Sequence, residues 1–325
     1  LSQDASVNFY MSFGGTNFGF LNGANYADDA PYRPDTTSYD YLAAIDEAGR
    51  PRNKFYRFRD IIARYRSVQP PDVPPIPQTI AIPEFALAER ADARTLLSEP
   101  VLSENPLTME AIEQNFGYVL YRAELQSPID GMLTVEDVRD YAVVTVNGSL
   151  AGHLDRRSGE TAVPLRALTG KVVLEILVEN SGRINYGAGF ADERKGICGP
   201  VRLDGQKVTV WECHAMPMDD LTPLRFAGGN AGPMAFARGF FELNAPADTF
   251  LDVSALGKGM LWINGHHLGR FWRIGPQQSL YVPGVWLRHG RNEVIAFDLE
   301  QLESPRLRGL AEPIYSEVHV EGAGS

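Results

Sequence analysis

From residue 116 onward the chain alternates apolar and polar positions with a period of two. Each run ends in a break rich in glycine, proline or asparagine. The runs 116–125, 141–154, 170–180, 206–216, 236–243, 257–272, 278–287, 292–300 and 314–322 predict strands. Short strands with regular turn punctuation fit β-sandwiches or jelly rolls. Asn-Gly pairs at 147–148 and 264–265 mark hairpins, because both residues accept positive φ at little cost. The stretches VVTVNGSLAGHLDR and MLWINGHHLGRFWR repeat the same order of strand, turn and small-residue linker. Two related β-domains are therefore expected rather than one large sheet.

The first 66 residues follow a different pattern. Val7, Phe9, Met11 and Phe13 alternate with Asn8, Tyr10 and Ser12, which predicts a strand. It runs into Gly14-Gly15, a turn expected to use positive φ. A long polar loop studded with aromatics occupies 21–49, a length more typical of functional loops than of spacers. A helix is then expected, with Pro51 in its first turn and Phe55, Phe58, Ile62 and Tyr65 on one apolar stripe. Its six basic residues read as a solvated face. Five prolines between Gln69 and Pro77 make a stiff connector. The expected division is 1–66 as one β/α unit, 67–80 as linker, 81–210 as a first β-sandwich and 211–325 as a second. Residues 81–100 are placed to pair with the distal domain.

Composition narrows the function. At 325 residues, 44% hydrophobic and 22% charged, the chain has an ordinary globular make-up, long enough for two or three domains. It holds no apolar run of spanning length, so no membrane partner is expected. Net charge is −11, and 1–66 is balanced, so the excess lies in the β-rich remainder. An acidic body argues against nucleic acid and suits a neutral substrate. The opening LSQDAS lacks a basic n-region and an apolar h-region, which bears on export only in a complete chain. Neither a cytoplasmic nor a secreted location is favoured, and a homo-oligomer is compatible with these features.

Candidate chemistry is sparse. Cys198 and Cys213 are too few for a disulfide framework or zinc spacing and read as buried thiols. His266-His267 would point apart on a turn with no third ligand nearby. Asp46 and Glu47 read as acidic residues favouring a helix N-terminus, and Asp40 as a loop-organising acceptor. Trp262, Phe271 and Trp272 suit a jelly-roll core better than a sugar platform. On the sequence alone Tyr10 reads as a core tyrosine and Tyr39 and Tyr41 as loop aromatics, although a flat apolar ring with a hydroxyl is also what a sugar site uses.

The segments NFYMSFGGTNFGFLNGAN and TTSYDYLAAIDEAGRPRNKFYRFRDII resemble the end of the catalytic barrel of glycoside hydrolase family 35 β-galactosidases. FGYVLYRAEL and ILVENSGRINYG resemble that family's intermediate β-domain, and DTFLDVSALGKGMLWINGHHLGRFWRIGPQQSLYVPGVWL its distal jelly roll. The resemblance covers nearly the whole chain in order. It implies a mainly β protein: the last β/α unit of a (β/α)8 TIM barrel, then two β-sandwich or galactose-binding-like jelly-roll domains. It further implies a retaining exo-β-galactosidase acting on a galactoside substrate without cofactor or metal. Both catalytic glutamates would lie on earlier barrel strands, in a missing N-terminal portion or a partner chain. Tyr10 would contact the nucleophile, Tyr41 the galactose and Tyr39 the pocket wall, and Tyr186 would reach in from the intermediate domain. Leu42 and Ala44 stand where the family often has Asp and Pro, and Ser12 replaces a usually aromatic residue. A carbohydrate-binding scaffold without catalysis and one subunit of a split galactosidase are the alternatives.

Overall fold

The computed structural model describes residues 6–27, 30–40, 42–66, 69–229, 232–300 and 305–316. Its body is a stack of four antiparallel β-layers, and the order follows from which strands are apolar on both faces. Tyr141–Val146, Val172–Glu179 and Lys258–Ile263 are almost wholly buried along their length. Only a strand covered on both sides hides successive side chains, because these alternate between faces.

Tyr141–Val146 and Val172–Glu179 sit in a six-stranded sheet with Ser149–Asp155, Tyr118–Leu125, Trp211–Met216 and Val101–Ser103. One face packs on the outer sheet of Ala162–Leu168, Ile129–Val135, Val201–Leu203 and Gln206–Lys207. Val144, Leu174, Ile176, Leu133, Val135 and Trp211 fill that core. The second sandwich repeats the plan. Its five-stranded sheet joins His266–Trp272, Lys258–Ile263, Gly290–Asp298, Ala235–Leu243 and Glu89–Asp92. The outer partner holds Ser279–Val282, Thr249–Asp252, Arg306–Leu310 and Ile82–Ala86. The larger sheets of the two sandwiches face each other through Tyr118, Leu120, Tyr141 and Leu177 on one side and Met260, Trp262, Ile295 and Phe297 on the other. Trp262 and Phe271 are thus core residues.

The two Asn-Gly hairpins occupy equivalent edges of these facing sheets. Asn147 and Gly148 have φ 50° and 77°, Asn264 and Gly265 49° and 85°, and each hairpin carries one register shift. Trp211–Met216, assigned above to the distal domain, pairs with Tyr118–Leu125 and completes the first sandwich.

The seam between the sandwiches contains buried charge. Glu179 and Lys258 form an ion pair with both side chains fully buried. Glu179 also accepts from the Tyr118 hydroxyl at 3.0 Å and from Ser181 Oγ at 2.8 Å. Burial pushes the Glu179 pKa up, but Lys258 and Arg270 outweigh it and hold the carboxyl below its ordinary range.

The opening strand is not formed. Residues 6–12 are irregular, and Phe13 makes a single bridge to Ile45. Alternation yields a strand only where a neighbour completes the ladder, and among the described residues no strand pairs with residues 6–12. Val7, Phe9, Tyr10 and Phe13 are exposed. Phe9 stacks on Phe58 of the helix Asn53–Ala63 at 4.6 Å. That helix buries none of its residues, Pro51 precedes it, and Tyr65 lies beyond its end. Of the last expected strand, 317–322 lies outside the described residues, and 314–316 form no strand.

Candidate functional site

The loop after Phe13 wedges between the two sandwiches, and its local geometry explains its glycines. Gly14 and Gly15 do not use positive φ. Gly14 is needed because a Cβ there would lie 2.5 Å from Asp40 Cα. That close approach lets Gly15–Thr16 pair with Ser38–Tyr39. Further on, Gly23–Ala27 pairs antiparallel with Ala30–Pro34 and parallel with Arg183–Tyr186 of the first sandwich. Gly182, at φ 128°, leaves room for this joint, because a Cβ would strike the Gly23 carbonyl.

Buried polar anchors hold the wedge on both sides. On the first sandwich, the Tyr32 hydroxyl lies 2.8 Å from both Asp140 Oδ2 and the Gly182 carbonyl. Lys195, fully buried, contacts Asp140 and Glu193 at 2.7 Å each. Arg156 lies over the Tyr32 ring at 4.3 Å. On the second sandwich, Thr37 Oγ1 donates to the Arg270 carbonyl at 2.7 Å and the Ser38 amide to Gln277 Oε1 at 2.7 Å. The Arg270 guanidinium donates to the carbonyls of Ser181 and Asp35, tying both sandwiches to the loop.

These pairings create an open cleft of about 370 Å³ lined by Asn17, Leu21, Gly23, Asn25, Asp35, Tyr39, Asn185 and Tyr186. Tyr39 and Tyr186, 147 residues apart in sequence, share its wall. Tyr10 is highly exposed, and its hydroxyl sits 3.2 Å from that of Tyr39. Tyr41 lies outside the described residues. Asn17, Asn25, Asp35 and Asn185 are cleft residues that the sequence reading did not single out. The nearest sequence signal is the placing of Asn25 two residues after Gly23, where a Cβ would strike the Asn185 side chain.

The loop carboxylates have structural roles here, and the expectation for Asp46 and Glu47 is corrected. The helix has no acidic residue in its first turn. Asp46 instead accepts from the amides of Ala48 and Arg50 and pairs with the Arg50 side chain at 2.8 Å, closing a turn. Asp40 takes both arms of Arg52, at 2.6 and 2.7 Å. Glu47 is buried, accepting from Thr16 Oγ1 at 2.7 Å and Tyr315 at 3.4 Å. Neither Asp40 nor Glu47 lines the cleft. Burial raises the Glu47 pKa to about 7, against its Thr16, Ser38 and Tyr315 donors and with Asp40 adding to the rise.

This shift predicts a pH signature. The folded chain keeps a proton on Glu47 that the unfolded chain releases near the ordinary value of 4.5. The contribution is full below pH 4.5 and is lost as pH rises through about 7. Glu47→Gln keeps the shape without titrating. The unfolding free energy of wild type relative to this variant should fall by up to about 3 kcal/mol across that interval, read by urea unfolding. A difference that stays flat contradicts it.

The histidine pair is also structural. His266 stacks on Trp286 at 4.7 Å and His267 on Trp262 at 4.3 Å, and burial lowers His267 to about 3. Among the described residues no cluster of three His, Cys, Asp or Glu side chains could hold a metal. Both cysteines are free thiols.

Three family models match the chain in order: "Glycosyl hydrolases family 35" over 1–65, "Beta-galactosidase, first all-beta domain" over 106–218 and "Beta-galactosidase, galactose-binding domain" over 234–292. The protein named "Beta-galactosidase" of Xanthomonas manihotis is 45% identical over 87% of this chain and 48% of its own length. "Beta-galactosidase-1-like protein 2" of Homo sapiens is 38% identical over 94% of this chain and 49% of its own. "Beta-galactosidase" of Bos taurus is 35% identical, over 92% and 50%. The chain thus spans about half the length of these curated relatives. Among solved structures, a Bacteroides uniformis β-glucuronidase aligns at 18% identity and TM-score 0.22, over 62% of this chain and 22% of that one, too low to add to the assignment. With a barrel-family match at the front and two β-galactosidase domain matches behind it, the chain belongs to glycosyl hydrolase family 35.

Proposed function

We propose that this chain is the C-terminal part of a retaining exo-β-galactosidase that releases terminal non-reducing β-D-galactosyl residues. The observation that carries the reading is the convergence of Tyr39 and Tyr186, from separate parts of the chain, on one cleft with the Tyr10 hydroxyl beside Tyr39. Residues 1–66 act as the closing β/α unit of a (β/α)8 barrel. The exposed apolar side chains Val7, Phe9 and Phe13 become covered when the preceding barrel strands pair with this segment. The linker follows. The first sandwich extends through Met216, and 81–96 join the distal one.

Retaining hydrolysis uses two carboxyls about 5–5.5 Å apart, one as nucleophile and one as acid/base. In this reading both come from the half of the enzyme that precedes this chain. Tyr10 donates its hydroxyl to the nucleophilic carboxylate, which favours its ionised form. Tyr39 and Tyr41 present rings to the apolar face of galactose and hydroxyls to its oxygens, and Tyr186 closes the far end of the cleft, on the side of the leaving group. The test is Tyr39→Ala in the intact enzyme, assayed with a chromogenic aryl β-galactoside. Losing a ring face and a hydroxyl contact should lower kcat/KM about 10- to 100-fold. A value within twofold of wild type, in a folded variant, overturns the reading.

A further inference from the structure

We propose that Asp35 is a specificity-determining residue whose carboxylate binds the hydroxyls of the leaving sugar, so that the cleft favours a galactoside whose leaving group is itself a sugar. The inference rests on the galactosidase reading above and deepens it.

Asp35 is the one carboxylate among the described cleft-lining residues. Its backbone is pinned on both sides: the amide donates to the Gly23 carbonyl at 2.9 Å, and its own carbonyl accepts from the Arg270 guanidinium. The side chain therefore cannot withdraw from the cleft by a shift of its backbone. Few protein donors serve the carboxylate itself. Oδ1 accepts from Asn25 Nδ2 at a long 3.2 Å, and among the described residues no donor reaches Oδ2. Partial burial raises its pKa, with the Arg270 charge opposing. A half-buried carboxylate with an oxygen free of protein donors can exchange water for two O–H donors of a ligand.

The chemistry around it selects the ligand class. A vicinal diol supplies two donors to one carboxylate. The amides of Asn25 and Asn185 each offer both donor and acceptor to neighbouring hydroxyls. The Tyr186 ring, exposed at the same wall, supplies a flat apolar face. This is a polyhydroxylated, uncharged ring. The position selects the leaving side. Tyr39 is the shared wall between Tyr10 and the cleft, and Tyr10 does not line the cleft itself. With Tyr10 at the reacting centre, the cleft extends outward from galactose.

The experiment uses the intact enzyme, with a β-galactosyl disaccharide and an aryl β-galactoside as the two substrates. Asp35→Asn keeps the side-chain shape and removes the charge. The ratio of disaccharide to aryl kcat/KM should fall about tenfold or more, the range for hydrogen bonds to a charged group. Asn185→Ala, at an exposed position that does not threaten folding, should lower the same ratio about threefold to tenfold. A ratio within twofold of wild type in both variants, or equal losses on both substrates, overturns the inference and leaves the galactosidase reading standing. A wild-type enzyme that hydrolyses neither substrate overturns both.

Discussion

Replacing Glu179 by alanine should destabilise the chain by about 3–5 kcal/mol, a large fraction of an ordinary domain's stability. The size follows from what remains behind. Lys258 is fully buried against the Tyr141 and Trp272 rings, at 4.7 and 4.4 Å, with Ser181 Oγ at 3.4 Å. Burial already pulls its pKa down to about 8, against the attraction of Glu179. Without Glu179 the buried Lys258 amine loses its carboxylate partner, and the Tyr118 hydroxyl loses its acceptor as well. Breaking one side of such a pair costs far more than replacing both. The double change Glu179→Gln with Lys258→Met should therefore recover at least half of the loss. Urea unfolding of the three chains decides it. A loss below 1 kcal/mol for Glu179→Ala would mean that the pair is not holding the sandwiches together.

The same pair shows why part of the fold escapes a sequence reading. A glutamate or lysine inside a strand reads as its solvent face, and only the second sandwich, supplied from elsewhere in the chain, buries it. The inner strands were legible because coverage on both faces demands long apolar runs, as in Tyr141–Val146 and Lys258–Ile263. Of the outer sheets only Ser279–Val282 and Gln206–Lys207 fell in predicted runs: Ile129–Val135 contains Gly131, Ala162–Leu168 contains Pro164, and Thr249–Asp252 is only four residues long. Residues 6–13 fail the other way, with a clear alternation and no ladder. At the cleft, family resemblance pointed to Tyr39 and Tyr186. Asn25, Asp35 and Asn185 went unnoticed because loop amides and carboxylates carry no periodic signal. Their meeting depends on a parallel pairing between residues about 160 apart in sequence.

The second large effect concerns turnover itself. The account places both catalytic carboxyls in sequence that precedes this chain and leaves tyrosines and support here. Glycosidases owe rate enhancements of many orders of magnitude chiefly to those carboxyls and the field around them. The chain by itself should therefore hydrolyse a chromogenic β-galactoside no faster than buffer. Adding the preceding barrel half should restore hydrolysis, because the strand of residues 6–13 then gains its neighbours and the cleft its reacting groups. The most direct measurement is this assay on three purified preparations free of host galactosidase: this chain, the preceding half, and the two expressed together. The account predicts activity in the third alone, sensitive to Tyr39→Ala. Turnover by this chain alone, abolished by Tyr39→Ala, would contradict it.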